Sequence, residues 1–240
     1  MHELQANLKG VDPHDAPEIL KRAITYYGDE LTMATSFQLG GLVLLDMIAK
    51  MGNPIRVFSI DTGRLPEETL ACAENIRDKY DVQIDWFFPQ HEAVESLERE
   101  KGLFSFRESV DERKFCCNIR KVEPLSRALQ GYRAWITGRR EDQSETRSEL
   151  TLVEPDPVHA GVVKINPLAA WTQDELWAYV KEHRVPYNRL YDEGYLSIGC
   201  ACCTRPAQAD EDERAGRWWW ENPEHKECGL HIDFGQGEGI

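Results

Sequence analysis

The sequence lacks any long apolar run. No stretch of about 18 consecutive apolar residues occurs, which argues against a transmembrane helix. The first residues, MHELQANLKGVDPHDAPEIL, contain no basic region followed by an apolar block and so do not resemble a signal peptide. We therefore expect a cytoplasmic protein with no membrane partner.

Positive charge is also scarce. The 240 residues include 28 Lys and Arg against 42 Asp and Glu, which gives a formal net charge of -14. Because broad binding to nucleic acid needs a basic surface, no nucleic-acid partner is expected. A small anionic ligand is still compatible, since a few Arg and Lys side chains can dominate the potential of one pocket.

The cysteines do not suit a disulfide framework, because their number is odd and the chain is expected to be cytoplasmic. Metal binding or thiol chemistry explains them better. The seven are Cys72, Cys116, Cys117, Cys200, Cys202, Cys203 and Cys228.

Strand and helix patterns alternate through the first two thirds of the chain, which predicts an α/β fold, a parallel sheet with helices on both faces. Strands are predicted over 31–37, 54–61, 82–89 and 132–138, with an edge strand over 162–168. Helices are predicted over 40–52, 66–80, 91–102, 113–131 (where Pro124 should break or kink the helix) and 171–184.

Ligands of such sheets bind at the carboxyl ends of the strands. Here those ends are Ser36-Phe37, Asp61-Thr62-Gly63 and Gly138-Arg139-Arg140. After about residue 185 the pattern changes to tyrosines among turns, cysteines and charged residues. We therefore divide the chain into an α/β domain, 1–186, and a C-terminal extension, 187–240, that folds over it.

Two cysteine pairs point to a metal centre. Cys116-Cys117 is a vicinal pair, and Cys200 and Cys203 form a C-x-x-C pair. Four thiolates suit a four-cysteine iron–sulfur cluster, while a zinc site or buried unliganded thiols are the alternatives. Because Cys202-Cys203 is vicinal too, spacing alone does not decide which cysteines of this segment are ligands.

The other two cysteines differ in character. Cys72 lies in a helical pattern and is expected in the core, since free cysteine behaves as a small apolar residue. Cys228 lies in ECGLH near the end of the chain. It is either a stray surface thiol or a nucleophile whose ionisation His231 assists.

Three of these motifs together resemble one known family. KFCCNIRK (114–121), IGCACCTRP (198–206) and ECGLH (227–231), in this order, resemble the assimilatory adenylyl-sulfate (APS) reductases, the iron–sulfur branch of the sulfonucleotide reductases. Three further motifs of the chain resemble the same family: IDTGRLPEET (60–69), WITGRREDQSETR (135–147) and RAGRWWWE (214–221).

The resemblance implies a fold of the adenine nucleotide alpha hydrolase-like type, also described as P-loop-like pyrophosphatase. It implies reduction of adenylyl sulfate to sulfite and AMP in assimilatory sulfate reduction and cysteine biosynthesis, through an S-sulfonate on Cys228 carried by a mobile tail. The electron donor would be thioredoxin or a similar dithiol protein. Only residues 232–240 follow ECGLH, whereas plant-type members carry a fused thioredoxin-like domain, so the donor is expected to be a separate protein.

The resemblance also implies a set of site residues. A [4Fe-4S] cluster would be held by Cys116, Cys117, Cys200 and Cys203. The anionic nucleotide would be bound by Ser36, Phe37, Asp61, Thr62, Gly63, Lys121, Arg147, Arg214, Arg217 and His231.

Simpler interpretations stay open for several of these residues. Arg214 and Arg217 could be a solvated helix face, and residues 61–63 an ordinary strand-to-helix turn. Trp218 to Trp220 could anchor the tail by packing or stack on adenine. The sequence departs from the family at Cys202 and in the loop SFQLGG (36–41), where the family has S-F-x-x-E-D.

Other functions remain alternatives. The 3′-phosphorylated nucleotide, PAPS, could be the substrate instead. An ATP-dependent adenylating enzyme of the same fold would use a Ser-Gly-Gly-x-Asp-Ser loop, where this chain has TSFQ (35–38). A redox-sensing iron–sulfur binding module would leave ECGLH unexplained. The oligomeric state is open, a homo-oligomer included.

Overall fold

One sheet of six short strands organises the chain, for which a computed structural model describes residues 2–52, 55–143, 150–208 and 211–222. The strands are β1 (Leu31–Ala34), β2 (Arg56–Ile60), β3 (Ile84–Phe87), β4 (Ala134–Ile136), β5 (Val153–Pro155) and β6 (Val163–Ile165). The described residues form eight α-helices: α1 (His2–Asn7), α2 (Ala16–Tyr27), α3 (Leu39–Lys50), α4 (Glu67–Tyr80), α5 (His91–Lys101), α6 (Val110–Cys117), α7 (Glu123–Ala128) and α8 (Gln173–His183).

The strands run in the order β3-β2-β1-β4-β6-β5, and every neighbouring pair is parallel except β5 with β6. This confirms the predicted parallel sheet. The prediction that 162–168 is an edge strand was wrong. Strand β5, which the sequence did not predict because it is only three residues long and ends in proline, pairs antiparallel outside β6.

Both faces of the sheet are covered, because side chains alternate along a strand. In β2, Val57 belongs to a core built with α2, α3 and α8, while Phe58 packs on the other face against Leu125 and Leu129 of the α7 region. In β4, Ile136 belongs to the same core as Val57, and Trp135 belongs to the same core as Phe58. The predicted helices on both faces are therefore confirmed.

Helix ends follow their local sequence. Thr172 and Glu175 form a capping box at the start of α8, as the pattern predicted. Pro124 does not break the chain's helical course, because it lies in the first turn of α7, where a missing N–H costs no bond within the helix. Between α6 and α7 the residues Asn118–Val122 form one turn of π-helix.

The segment after α8 lies across the carboxyl edge of the sheet. The Tyr191 hydroxyl accepts a hydrogen bond from the Leu39 N–H at 3.2 Å, and Asn188 donates to the Thr69 hydroxyl at 2.9 Å. The division at 186 and 187 stays a prediction. In the described ranges no helix is long and apolar enough to cross a membrane.

Candidate functional site

A cleft opens at the carboxyl edge of the parallel strands, where the fold predicts it. Its walls come from the loops after β1, β2 and β4, from the π-turn after α6, and from the segments around 198–200 and 213–217. In the sequence these regions lie as far apart as Ser36 and Arg217. The sheet brings them together because its strands end at a common edge.

The loop after β1 begins the floor of the cleft. Its Phe37 has a positive φ of 55°, and the Phe37 N–H donates to the Thr35 hydroxyl at 3.2 Å. Ser36 therefore lines the cleft, while the Phe37 ring packs in the core with its centroid 5.7 Å from that of Trp86. Of the two residues predicted here, Ser36 lines the cleft and Phe37 does not.

Two glycines allow the first turn of α3 to approach the end of β4. A methyl carbon added to Gly40 would lie 2.5 Å from the carbonyl oxygen of Gly138, and one added to Gly138 would lie 2.8 Å from the Gly41 nitrogen. Gly40 and Gly41 line the cleft. The N-terminus of a helix, a general anion-binding feature, is thus part of its wall.

Gln38 is a cleft residue that the sequence analysis did not assign. Its side-chain oxygen accepts hydrogen bonds from the Ser197 hydroxyl and the Ile198 N–H, both at 3.2 Å. Its nitrogen donates to the Ser36 hydroxyl at 3.2 Å. Gln38 therefore joins the loop after β1 to the segment that leads into Cys200.

The turn after β2 divides its three predicted residues. The Asp61 carboxylate accepts from the Gly63 N–H at 2.8 Å, and Gly63 has a φ of 69°, so this pair shapes the turn. Thr62 alone of the three lines the cleft. Its hydroxyl lies 3.3 Å from the sulfur of Cys200, which places the cleft and the cysteines in contact.

Five cationic side chains line the cleft. They are Lys121, Arg139, Arg140, Arg214 and Arg217, all buried or half-buried. Because Arg214 and Arg217 are buried, they do not form a solvated helix face. Such a concentration of positive charge on a chain of net charge -14 fits an anionic ligand.

The two arginines in the loop after β4 form ion pairs with acidic side chains. Arg139 pairs with Glu154, and Arg140 pairs with Asp142 and, at 2.7 Å, with Glu213. Burial raises the pKa of the Glu213 carboxyl, and Arg140 opposes that shift. Glu213 lies in the acidic run DEDE, so no sequence pattern distinguished it from a surface acid.

The π-turn places two cations beside the cysteine pair that precedes it. The Arg120 guanidinium donates to the Thr62 carbonyl at 2.8 Å and to the Glu98 carboxylate at 2.5 Å. Lys121, 9% exposed, lines the cleft. Turns of this type insert an extra residue into a helix and occur often at functional sites.

The four cysteines of the two pairs are all buried. Cys116, Cys200 and Cys203 belong to one apolar cluster with Phe106 and Trp218, and Cys117 is 7% exposed beside Cys116. The neighbouring Cys202 is only partly buried.

Positive charge surrounds these thiols. Burial raises the pKa of Cys116, while the side chains of Arg64, Arg120 and Lys121 act to lower it. No three His, Cys, Asp or Glu side chains among the described residues are grouped closely enough to hold a single metal ion. The donor set consists of buried thiols beside cationic side chains, which is the donor chemistry that an iron–sulfur cluster takes.

Trp218 joins the cysteines to the cationic wall. The ring is fully buried, with the guanidinium of Arg113 4.5 Å and that of Arg217 4.7 Å from its centroid. The backbone N–H of Trp218 donates to the Cys203 carbonyl at 3.1 Å. Trp218 therefore serves packing, the first of the two roles considered for the tryptophans.

Three predicted residues, Arg147, Cys228 and His231, lie outside the described residues. Cys72 is 2% exposed in α4, and burial raises its pKa to about 12, as a core cysteine requires.

Comparison with known proteins gives a family match over most of the chain. Residues 30–206 match the phosphoadenosine phosphosulfate reductase domain. The chain is 50% identical over 203 residues to adenosine 5'-phosphosulfate reductase of Allochromatium vinosum, covering 85% of this chain and 79% of that protein. It is 45% identical to the Pseudomonas aeruginosa protein of the same name over 234 residues, 95% of this chain and 85% of the relative.

Two further comparisons concern length and fold. The chain is 44% identical to 5'-adenylylsulfate reductase 3, chloroplastic, of Arabidopsis thaliana, with 95% of this chain covered but only half of that protein. Among solved structures, phosphoadenylyl-sulfate (PAPS) reductase of Candida auris in a phosphate complex superposes with a TM-score of 0.69 at 31% identity, covering 84% of this chain and 94% of that one. An FMN adenylyltransferase of Candida glabrata, 14% identical with a TM-score of 0.57 over 90% of this chain and 74% of its own, shares the fold alone.

Proposed function

Because the chain belongs to the phosphoadenosine phosphosulfate reductase domain family, we propose that it reduces adenylyl sulfate to sulfite and AMP in assimilatory sulfate reduction. One observation carries the proposal. A cleft lined by five cations and a helix N-terminus opens directly onto a group of buried cysteines, through the contact of Thr62 with Cys200. Nucleotide binding and sulfur chemistry then share one place.

The cleft residues have separate tasks in this proposal. Ser36 and the first turn of α3 would bind the phosphate, and Lys121, Arg214 and Arg217 would face the negative charge of phosphate and sulfate. Asp61 and Gly63 would shape the turn that presents Thr62. Arg147 and His231, outside the described residues, stay proposed substrate contacts from the family resemblance.

The nucleophile in the proposal is Cys228, also outside the described residues. Its thiolate attacks the sulfur of the sulfate group, the bond from that sulfur to the phosphate oxygen breaks, and AMP leaves with the electron pair. The product on the chain is a Cys228 S-sulfonate. The cations of the cleft stabilise the negative charge that develops on the leaving phosphate.

A protein dithiol completes the reaction. Its first thiolate attacks the Cys228 sulfur and releases sulfite, which leaves a mixed disulfide. The second thiol of the donor then attacks the donor's first sulfur in this mixed disulfide. That step forms the donor's disulfide and releases the Cys228 thiolate. The donor ends as a disulfide, so its two electrons account for the reduction. Thioredoxin, or a protein of the same chemistry, is the proposed donor.

We further propose that Cys116, Cys117, Cys200 and Cys203 hold a [4Fe-4S] cluster. Their burial, the packing of three of them in one group and the cations Arg64, Arg120 and Lys121 nearby support it. Bound there, the cluster would supply a fixed electrostatic centre beside the cleft. Lys121 would then lie between substrate and cluster, while both electrons come from the dithiol.

The test is a single turnover without any reductant. Purified protein mixed with adenylyl sulfate should release one AMP per chain and no sulfite, and intact mass should rise by one SO3 group located on Cys228. Adding reduced thioredoxin should remove the adduct and release sulfite. Cys228→Ser should bind nucleotide but form no adduct. An adduct on another cysteine contradicts the mechanism.

The same assay with PAPS decides between the two nucleotides. The curated relatives at 45–50% identity carry the name of the APS enzyme, and the PAPS reductase structure is 31% identical. We therefore expect faster sulfite release from adenylyl sulfate. Equal or faster release from PAPS would reverse the substrate assignment, and release of pyrophosphate from ATP would indicate an adenylating enzyme.

A further inference from the structure

Exposed apolar side chains concentrate in one area beside the cysteines. Seven large apolar side chains of the described residues are exposed, and four of them lie in this area: Leu103 (62%), Phe104 (58%), Phe115 (44%) and Trp219 (38%). We call these four, with the exposed Arg107, the aromatic patch. Single exposed apolar residues are ordinary, but a concentration of them marks an interaction surface.

Arg107 holds the patch together. Its guanidinium carbon lies 5.4 Å from the centroid of the Phe104 ring and 5.8 Å from that of Trp219. The ammonium group of Lys101 lies 5.2 Å from the Phe115 ring at the border of the patch. These cation–π contacts fix the aromatic side chains before a partner arrives, which lowers the entropy cost of binding.

The patch is also tied to the cysteine segment. Arg107 donates a hydrogen bond to the Cys202 carbonyl at 3.3 Å, and Arg64 donates to the Leu103 carbonyl at 2.8 Å while its other nitrogen lies 3.8 Å from the Cys202 sulfur. The patch therefore lies on the outer side of the loop that carries Cys200 and Cys203.

Chain length places the proposed nucleophile within reach of this surface. Trp219 is three positions before Asn222, the last described residue, and Cys228 is six positions beyond it. Six residues span at most about 20 Å, whatever their conformation. A protein that delivers a thiol to Cys228 must therefore come within about 20 Å of Asn222, and the patch residue Trp219 lies three positions before Asn222.

We propose that the aromatic patch is the docking surface for the protein dithiol donor, an inference that rests on the proposed function. The partner it fits presents apolar side chains around its reactive thiol, which would cover Leu103, Phe104 and Trp219. Arg107, the cation at the centre, would hydrogen-bond a carbonyl or carboxylate of that partner. Tryptophan and arginine are the residues that most often dominate binding at such centres.

Two reductants test the proposal, because a small dithiol needs no docking surface. Sulfite release is measured in Phe104→Ser and Arg107→Ala with thioredoxin and with dithiothreitol. With thioredoxin the KM for the reductant should rise about tenfold or more. With dithiothreitol the rate should equal that of the wild type, and AMP release in the single turnover and iron content should be unchanged.

Phe88→Ser is the matched control, because Phe88 is 54% exposed and lies outside the patch. It should leave the KM for thioredoxin unchanged. Equal losses with both reductants would assign the patch to the chain's own tail or substrate site, and unchanged kinetics with thioredoxin would show that no donor docks there. Loss of a dimer in the patch variants would assign it to a second copy. Absence of sulfite in the wild type with either reductant would instead contradict the proposed function.

Discussion

Arg217 is held in position by its neighbours before any ligand binds. Its guanidinium lies 4.7 Å from the Trp218 ring centroid, and one nitrogen lies 3.4 Å from both the Ser197 hydroxyl and the Ile198 carbonyl. Gly199 leaves room for it, since an added methyl carbon there would collide with the guanidinium. A cation fixed in this way loses little entropy when an anion binds.

Arg217→Ala should therefore weaken the binding of adenylyl sulfate about tenfold to a hundredfold, because a charge-assisted hydrogen bond is worth about 1.5–3 kcal/mol. Titration calorimetry measures the Kd when both proteins also carry Cys228→Ser, which binds the nucleotide without forming the adduct. The control is Arg56→Ala, since Arg56 begins β2 at the opposite end of the sheet and its side chain is 68% exposed. Wild-type affinity in Arg217→Ala would contradict the proposed role.

The cysteines of the C-terminal segment differ in burial, and this difference gives a second prediction. Cys203 is 9% exposed within the apolar cluster, whereas Cys202 is only partly buried. Cys203→Ser should lose iron and visible absorbance, and Cys202→Ser should retain both. Iron content per purified chain measures the outcome. Iron retained in Cys203→Ser and lost in Cys202→Ser would reverse the ligand assignment.

At the scale of elements, one buried ion pair joins α6 to the segment that precedes the tail. Arg113 of α6 donates to both carboxylate oxygens of Glu221, at 3.0 and 2.8 Å, and the side chains are 0% and 3% exposed. The same guanidinium lies over Trp218. The pair therefore fixes residue 221 relative to the helix that carries Cys116 and Cys117.

Glu221→Gln should lower the free energy of unfolding by about 3–5 kcal/mol, because it leaves the Arg113 charge buried without its carboxylate. Urea denaturation measures this loss. Glu30→Gln is the control: the Arg133–Glu30 pair is about half exposed, so its loss should be much smaller. Equal losses in free energy of unfolding in the two variants would show that burial does not make the Arg113–Glu221 pair more important for stability than the exposed pair.

A second buried acid connects β4, β5 and β6. Asp156 accepts from the Trp135 indole at 2.9 Å, and the Lys164 ammonium lies 3.8 Å from its carboxylate. Burial alone would raise the pKa of Asp156, but hydrogen bonds from His159 and the charge of Lys164 outweigh it, so the pKa is lowered.

Asp156→Asn should lower the free energy of unfolding by about 3–5 kcal/mol at pH 7, since it removes the carboxylate that Lys164 faces. A lowered folded pKa means that this stabilisation is present above the ordinary value of about 4 and is lost as pH falls through the folded value. The difference between wild type and variant should therefore shrink below about pH 4. Urea denaturation at neutral and acidic pH measures it; a difference independent of pH contradicts the assignment.

At the scale of the whole molecule, the two predicted regions build one cleft. Ser36, Lys121 and Arg139 come from residues before 187, while Cys200 and Arg217 come from after it. The Ala201 N–H donates a hydrogen bond to the Arg64 carbonyl at 2.8 Å. This contact crosses the proposed boundary between residues 186 and 187. The extension is thus a wall of the ligand site.

Thermal unfolding should accordingly show one cooperative transition, which nucleotide shifts upward as a whole. At a hundredfold excess over its Kd, bound AMP stabilises the folded state by about 2.7 kcal/mol. Differential scanning calorimetry with and without AMP measures the shift. Two separate transitions, with only the first moved by AMP, would show that residues 187–240 unfold independently.

Local sequence patterns were enough to predict the layered architecture and the positions of most elements. Alternating apolar runs specify buried parallel strands, and a capping box such as that of Thr172 and Glu175 is local, so neither depends on distant contacts. Strand β5 escaped prediction because three residues carry no period. Pro124 does not break the helical course, because it lies in the first turn of α7.

Which side chains meet could not be predicted from local sequence, because it depends on tertiary contacts. Ser36 and Phe37 are adjacent in sequence, yet the positive φ of Phe37 sends one to the cleft and the other to the core. Glu213 lies in an acidic run of the sequence, yet its carboxylate lies 2.7 Å from the Arg140 guanidinium. Charge, burial and ligand contact depend on residues far apart in the chain, and their proximity follows from the sheet order, which local sequence does not encode.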